Sequence, residues 1–196
     1  MNDRLDGTAL ETIFLNARSH NKWLDKPVSK EQVDAIYQLM KWGPTSANSF
    51  PIRIVFVSSA QGKERLKPLV WEGNRNKVIT APVTAIVGYD TKFYDWLPRL
   101  FPHKDVRPLF ANNPPFAEAT AFRNSSLQGG YFIIAARAVG LDCGPMSGFD
   151  NSKVDEEFFP DGKVKSNFIC ALGYGDPTGL YGRSPRPTFD EVCRFA

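Results

Sequence analysis

Apolar residues at Leu10, Ile13, Phe14 and Ala17 fall at the three- and four-residue steps of one helix face. Thr8-Ala9-Leu10-Glu11 reads as the capping box that starts it, a Thr hydroxyl taking one free backbone N–H while the Glu reaches back for another. The device recurs at Ser29-Lys30-Glu31-Gln32, where Val28 and Val33 are placed as a staple and Val33, Ile36, Tyr37 and Met40 share a face. That helix must stop by Gly43, because Pro44 disfavours helical geometry in the residue before it. Ile52–Val57 is a β-branched run and predicts a strand, and Ser58 to Leu69 predicts a short helix. Pro82–Gly88 is apolar on both sides, which predicts a strand central in its sheet.

From Lys92 to Pro115 the pattern lapses. Pro98, Pro102, Pro108, Pro114 and Pro115 stand among Phe93, Tyr94, Trp96, Phe101 and Phe110. A loop of this length inside a compact domain is often functional. It is either a lid shaping substrate choice or a surface insertion with its aromatics tucked into a satellite core. Phe116 to Val139 then predicts the longest helix, apolar nearly all round from Tyr131 and closed by Gly140. Asp150 caps a short helix toward Phe158, and Asn167–Gly173 reads as a third strand. The tail from Tyr174 is rich in Gly, Pro and Arg, and its last residues could add an edge strand. Helices and strands interleave without regular βαβ units, so the expected class is α+β with a central mixed β-sheet flanked by helices, as one domain over residues 1–196.

The formal charge of +3 is small and no run of Lys or Arg appears, which argues against a nucleic-acid partner. Cys143, Cys170 and Cys193 are far apart and only His20 and His103 accompany them, so no metal is expected. Reduced thiols, an acidic N-terminus unlike a signal peptide, and no run long enough for a membrane helix together predict a cytoplasmic protein.

Four segments are polar beyond what a turn needs: Arg18–Trp23, Gly43–Ser49, Gly73–Lys77 and Gly182–Arg186. Each has a plain structural reading: a helix C-terminal cap, a turn, a surface charge, a solvated tail. One chemistry uses all four, the binding of a phosphorylated, polar-headed cofactor. A phosphate takes Arg forks and hydroxyl donors. A flavin ring takes amide partners on its pyrimidine edge and a cation near N1 and the C2 carbonyl. No GxGxxG follows a strand, and no GxxxxGK[ST] or GxSxG occurs, so dinucleotide-fold, P-loop and hydrolase-elbow readings fail. A Cys143–His103 nucleophile pair is left as a minor alternative.

At these segments the chain resembles the nitroreductase superfamily. Arg18-Ser19-His20-Asn21-Lys22-Trp23 is similar to the family's Arg-Ser-x-Arg/Lys-x-Phe opening, with Asn21 in place of the second basic residue. Gly43–Ile52 is similar to its Ala-Pro-Ser-x-x-Asn-x-Gln-Pro-Trp loop, with Phe50 and Ile52 replacing Gln and Trp. Asn74 and Lys77 before Ala81-Pro82, then Gly140-Leu141, Pro145–Asp150 and Arg186-Pro187, complete the series. Met40–Asn48, Phe122–Ser126 and Gly144–Asp150 further resemble the malonic semialdehyde reductases of the Rut pyrimidine-degradation pathway.

The resemblance implies a homodimer with two FMN sites at its interface and a C-terminal segment contributing to the partner's sheet. Arg18, Ser19, Asn21, Asn74, Lys77, Pro145, Ser147, Gly148, Arg186 and, more weakly, Arg183 would come from one chain. Pro44, Thr45, Ser46 and Asn48 would come from the other. It implies a ping-pong NAD(P)H oxidoreductase, with NADH or NADPH as donor and chemistry at flavin N5, reducing malonic semialdehyde to 3-hydroxypropionate. Arg123 and Arg107 are candidate contacts for the substrate carboxylate. A general nitro or quinone reductase, or a non-catalytic flavin-binding protein, are the alternatives.

Overall fold

The computed structural model describes residues 4–196. Helix α1, Gly7–Leu10, widens into a π-helical turn over Glu11–Leu15. Its cap is Asp6 and not the expected Thr8: the Asp6 carboxylate accepts from the Ala9 N–H at 2.7 Å. A charged oxygen is the stronger acceptor at the positive end of a helix, so the start moves upstream. Helix α2, Lys30–Met40, opens with the predicted box, Ser29 Oγ accepting from Gln32 N–H and Gln32 Oε1 from Ser29 N–H.

Strand β1 is Ile52–Val57, followed by α3, Ala60–Leu66, and α4, Glu72–Thr80. Strand β2 is Val83–Asp90. Helices α5, Leu97–Leu100, and α6, Arg107–Ala111, lead to α7, Pro114–Ala138. Strand β3, Asp142–Met146, helix α8, Asn151–Phe158, strand β4, Val164–Gly173, and the tail helix α9, Phe189–Val192, complete the order. The four strands lie in the order β1-β2-β4-β3.

All three strand pairs are antiparallel, which corrects the expected mixed sheet; the parallel pairing recorded is the isolated Ser19–Cys143 bridge. The sequence pattern predicts no strand over Asp142–Met146, where β3 lies. Strand β3 forms because β4 templates it, and it tolerates Pro145 at the sheet's edge.

Both sheet faces are covered, which is why β2 lacks a polar side. Val83, Ala85 and Val87 of β2 point with Cys170 and Leu172 of β4 toward α2 and α7, meeting Ile36, Met40, Phe132 and Ala136. Ile86, Ile169 and Ala171 point the other way, onto Leu66, Val78 and Val154 of α3, α4 and α8. Burying one such side chain contributes about 1.5–3 kcal/mol, so the two layers fix the sheet firmly.

The Lys92–Pro115 stretch is not structureless. A 3₁₀ turn at Phe93–Trp96 leads into α5, α6 follows, and Phe93, Leu97 and Phe110 are buried with Tyr89, Ala117 and Ala121 in a third cluster. The prolines hid this from the periodicity, but the aromatics supply a satellite core. Helix α7 ends at Gly140 with φ +80°, the left-handed terminus expected of it.

Much apolar surface stays open. Phe122, Leu127 and Tyr131 of α7 are exposed, as are Tyr37 and Leu39 of α2 and the following Trp42. The tail beyond Leu180 is exposed throughout and forms α9 rather than an edge strand with its own chain.

Candidate functional site

Two of the four polar segments, Arg18–Trp23 and Gly73–Lys77, meet around the start of β3. Residues Arg18–Trp23 thread between β3 and the chain leaving β4: His20 N–H donates to Cys143 O at 2.9 Å, Leu24 N–H donates to Tyr174 O at 2.8 Å, and Trp23 bridges Gly175. Trp23 Nε1 donates to Lys77 O at 3.2 Å, bringing in the C-terminal turn of α4. Gly144 is the junction. A Cβ there would stand 2.5 Å from His20 O, 3.1 Å from Trp23 Cζ2 and 3.2 Å from Lys77 Cδ, so only glycine fits. Asn74, one turn before Lys77, donates through Nδ2 to Gly148 O at 3.0 Å, and Trp71 N–H reaches the same oxygen at 2.9 Å. Pro145, Ser147 and Gly148 are thus held beside Asn74, with the Ser147 side chain exposed.

The electrostatics of this junction are unbalanced. Lys77 is 8% exposed, and burial pushes its ammonium below the usual lysine range, with Cys170 acting weakly the other way. Cys170 is no counter-ion, because its neighbour Cys143 and its burial hold the thiol well above the usual range. No carboxylate among the described residues stands within ion-pair reach of Arg18, Lys77, Arg183 or Arg186. The fourth segment is drawn in only at its near end. Arg18 Nη2 donates to Tyr181 O at 2.6 Å, and Arg183 Nη2 donates to Leu15 O at 2.7 Å. Arg186 reaches only the carbonyls of Ser184 and Pro185, its own neighbours. Ser19 and Asn21 lie exposed on the threaded segment.

The Pro44–Asn48 loop is bonded elsewhere. Ser46 N–H donates to Asn124 Oδ1 on α7 at 2.9 Å, and Asn48 Nδ2 donates to Leu100 O at the end of α5 at 2.7 Å. Ala47 and Asn48 both take left-handed geometry, at φ 51° and 48°. For an alanine this costs about 1–2 kcal/mol and persists only where the surroundings enforce it. Pro44, Ser46 and Asn48 remain exposed.

Arg107 gives both Nε and Nη2 to Asp95 Oδ1, at 3.0 and 2.8 Å, and that contact raises its pKa. Arg123 is exposed on the outer face of α7, in a shallow groove with Phe122, Leu127 and Tyr131, and has no carboxylate partner among the described residues. The Cys143–His103 pair does not assemble: Cys143 is buried in the main core, while His103 lies on the insertion against Phe101. Among the described residues no group of three His, Cys, Asp or Glu stands close enough to share a metal ion, and no helix is long and apolar enough to cross a membrane.

Sequence reasoning missed His20 and Asp142. His20 is buried with Nε2 3.4 Å from Asp142 Oδ1, while Asp142 Oδ2 accepts from Gly175 N–H at 2.8 Å. The pair ties the threaded segment to both flanking strands. No local pattern around Asp142 signals this.

A family model described as the nitroreductase family matches residues 15–175. A Bacillus subtilis protein assigned as a nitroreductase superposes with a TM-score of 0.89 at 22% identity, over 97% of this chain and 100% of that one. A similarly assigned protein from Exiguobacterium sibiricum, solved in complex with FMN, gives 0.82 at 20% identity over 100% of both chains. One from Staphylococcus epidermidis, assigned as an NAD(P)H:FMN oxidoreductase, gives 0.86 at 20% identity over 100% of this chain and 98% of that one. At these identities the three superpositions speak for the fold.

Proposed function

The chain belongs to the nitroreductase family, and on that premise we propose that it is an FMN-dependent NAD(P)H oxidoreductase acting as a homodimer. The observation that carries the reading is Lys77, a buried ammonium without an anionic partner, set between the Arg18–Trp23 segment and Asn74. Burying an unpaired charge is costly unless something else compensates it. Arg and Ser donors beside it suit a phosphate, and the amide of Asn74 and the backbone at Gly148 suit a polar ring edge, so the donor set fits FMN. When bound, FMN supplies a ring nitrogen, N5, that accepts hydride from NAD(P)H and passes it to an acceptor. Arg18, Ser19, Arg183 and, on the exposed tail, Arg186 would hold the phosphate. Asn21, Asn74, Pro145, Ser147 and Gly148 would orient the ring, and Lys77 would oppose negative charge at its pyrimidine end.

The loop of Pro44, Thr45, Ser46 and Asn48 is bonded to α7 and the end of α5 and not to this junction, and Pro44, Ser46 and Asn48 are exposed, which supports their reaching the partner's site. The open face of α7 and the unpaired edge of β1 support a dimer in which the tail crosses to the partner's sheet. Reduced Cys143, Cys170 and Cys193 suit a cytoplasmic setting, with residues 1–196 acting as one domain. The purified protein is expected to show a flavin spectrum, to release FMN on heating and to bleach with NADH under anaerobic conditions. Release of FAD, or no flavin after reconstitution with FMN, defeats the reading. Reoxidation by an aldehyde, by nitro or quinone acceptors, or by neither separates an aldehyde reductase from its two alternatives.

For the substrate, the reading is malonic semialdehyde, gripped through its carboxylate by Arg123. Arg107, committed to Asp95, is the weaker candidate. Arg123→Met is expected to lower kcat/KM for malonic semialdehyde by about 1.5–3 kcal/mol, the scale of a lost charge-assisted hydrogen bond, and to spare an uncharged aldehyde of similar size. Equal losses for both aldehydes remove Arg123 from the carboxylate.

A further inference from the structure

The inner face of α7 is polar where a core helix is normally apolar. Thr120, Asn124, Ser125 and Gln128 are all buried there. Each is put to use. Ser125 Oγ donates to Gly88 O at 3.1 Å, Gln128 Oε1 accepts from Ile52 N–H at 3.1 Å, and Asn124 Oδ1 accepts from Ser46 N–H at 2.9 Å. Asn124 is 1% exposed, and its own Nδ2 is anchored to Thr120 O at 2.8 Å, so the amide is locked in one orientation. A buried amide of this kind costs stability unless both ends are satisfied. What it satisfies is the first N–H of the strained Ala47–Asn48 turn.

We propose that Asn124 is the positioning residue of the Pro44–Asn48 loop, and that through it α7 sets how tightly the partner subunit holds FMN. The role rests on the reading of that loop as the partner's cofactor contact. Two other side-chain bonds brace the loop, Thr45 Oγ1 to Ser49 O at 2.7 Å and Asn48 Nδ2 to Leu100 O. The first is internal to the loop and the second ends on the insertion. Asn124 is the brace that fixes the loop to a long helix of the main body, and it acts without touching the cofactor.

Asn124→Leu keeps the volume and removes the acceptor. Ser46→Pro removes the donor from the other side, and the local geometry accepts it: Ser46 opens the 3₁₀ turn and Thr45 before it is extended at φ −141°, ψ 160°. Ser46→Ala, which keeps the N–H, measures the cost of the hydroxyl alone. Gln128→Leu removes an equally buried amide of α7 that serves β1 instead.

The dissociation constant of FMN is read by fluorescence quenching on titration into the apo-dimer, with Tm measured alongside. Asn124→Leu against the wild type, and Ser46→Pro against Ser46→Ala, are each expected to raise Kd about tenfold. The double variant should be no worse than one of them, because both break the same bond. Gln128→Leu should lower Tm and leave Kd within about twofold. An unchanged Kd in folded Asn124→Leu, an additive double variant, or an equal rise in Gln128→Leu overturns the inference. Should Asn124→Leu fail to fold, Ser46→Pro against Ser46→Ala decides alone. A wild-type chain that binds no FMN instead ends the functional reading, and this role with it.

Discussion

Gly144→Val is expected to leave a folded chain that no longer retains FMN. The three site segments approach one another at this residue without room for a side chain: the nearest atom to a Cβ is the backbone oxygen of His20, at 2.5 Å. A flexible side chain could swing aside, but this oxygen belongs to a segment bonded on both flanks, to Cys143 and through Trp23 to Gly175 and Lys77. The strain must therefore be relieved by separating Arg18–Trp23 from β3 and α4. Overpacking of a tight core costs about 1–3 kcal/mol, and a rigid backbone neighbour places this case at the upper end. Expressed as affinity, that is about a hundredfold weaker FMN binding, since each 1.4 kcal/mol is tenfold. Gly144→Ala should move in the same direction by less. FMN titration together with Tm reads both effects. Near-wild-type affinity in Gly144→Val would mean that these segments do not form the site.

The same residue shows where sequence reading reaches its limit. Local signals were legible: the Ser29–Gln32 box, the β-branched run of β1, the two-sided apolarity of β2, and Gly140 at the end of α7. Each depends on neighbours within a few positions. Where two local signals competed, the stronger acceptor won, as Asp6 did over Thr8. Strand β3 was not legible, because Asp-Cys-Gly-Pro-Met has little strand character of its own and becomes a strand through pairing with β4. The polarity of Arg18–Trp23 and of Asn74–Lys77 marks them as candidate site segments, yet nothing in either segment tells that Gly144 joins them. Asn124 is the extreme case. Its partner Ser46 is 78 positions away, and an Asn within a predicted core helix carries no sign of what it holds.

Lys77→Met is expected to move stability and cofactor chemistry in opposite directions. In the apo-protein the Lys77 ammonium is buried without an anionic partner, and its pKa lies below the value of 10.5 it has when solvated. The unfolded chain therefore binds that proton more tightly than the folded one, and the charge opposes folding at pH values below the folded pKa. The penalty fades as pH rises through the folded pKa toward 10.5, so wild-type stability climbs in that window. Methionine removes the penalty at every pH. The apo-variant should be the more stable protein at neutral pH, with the difference shrinking as the medium becomes alkaline. Lys63, also lowered by burial, is present in both proteins and cancels from the comparison.

On the proposed assignment, Lys77 would also offset the negative charge that reduction places on the pyrimidine end of bound FMN. Asn21 occupies the position of the second basic residue in the family segment that Arg18–Trp23 resembles, so on this assignment the effect would concentrate on Lys77. Its removal should lower the two-electron potential by about 30 mV for each 1.4 kcal/mol of lost stabilisation. A fall in potential together with a gain in apo stability identifies a residue kept for chemistry at the expense of the fold. An unchanged potential with FMN still bound, or an apo-variant less stable than the wild type at neutral pH, would instead make Lys77 a structural cation.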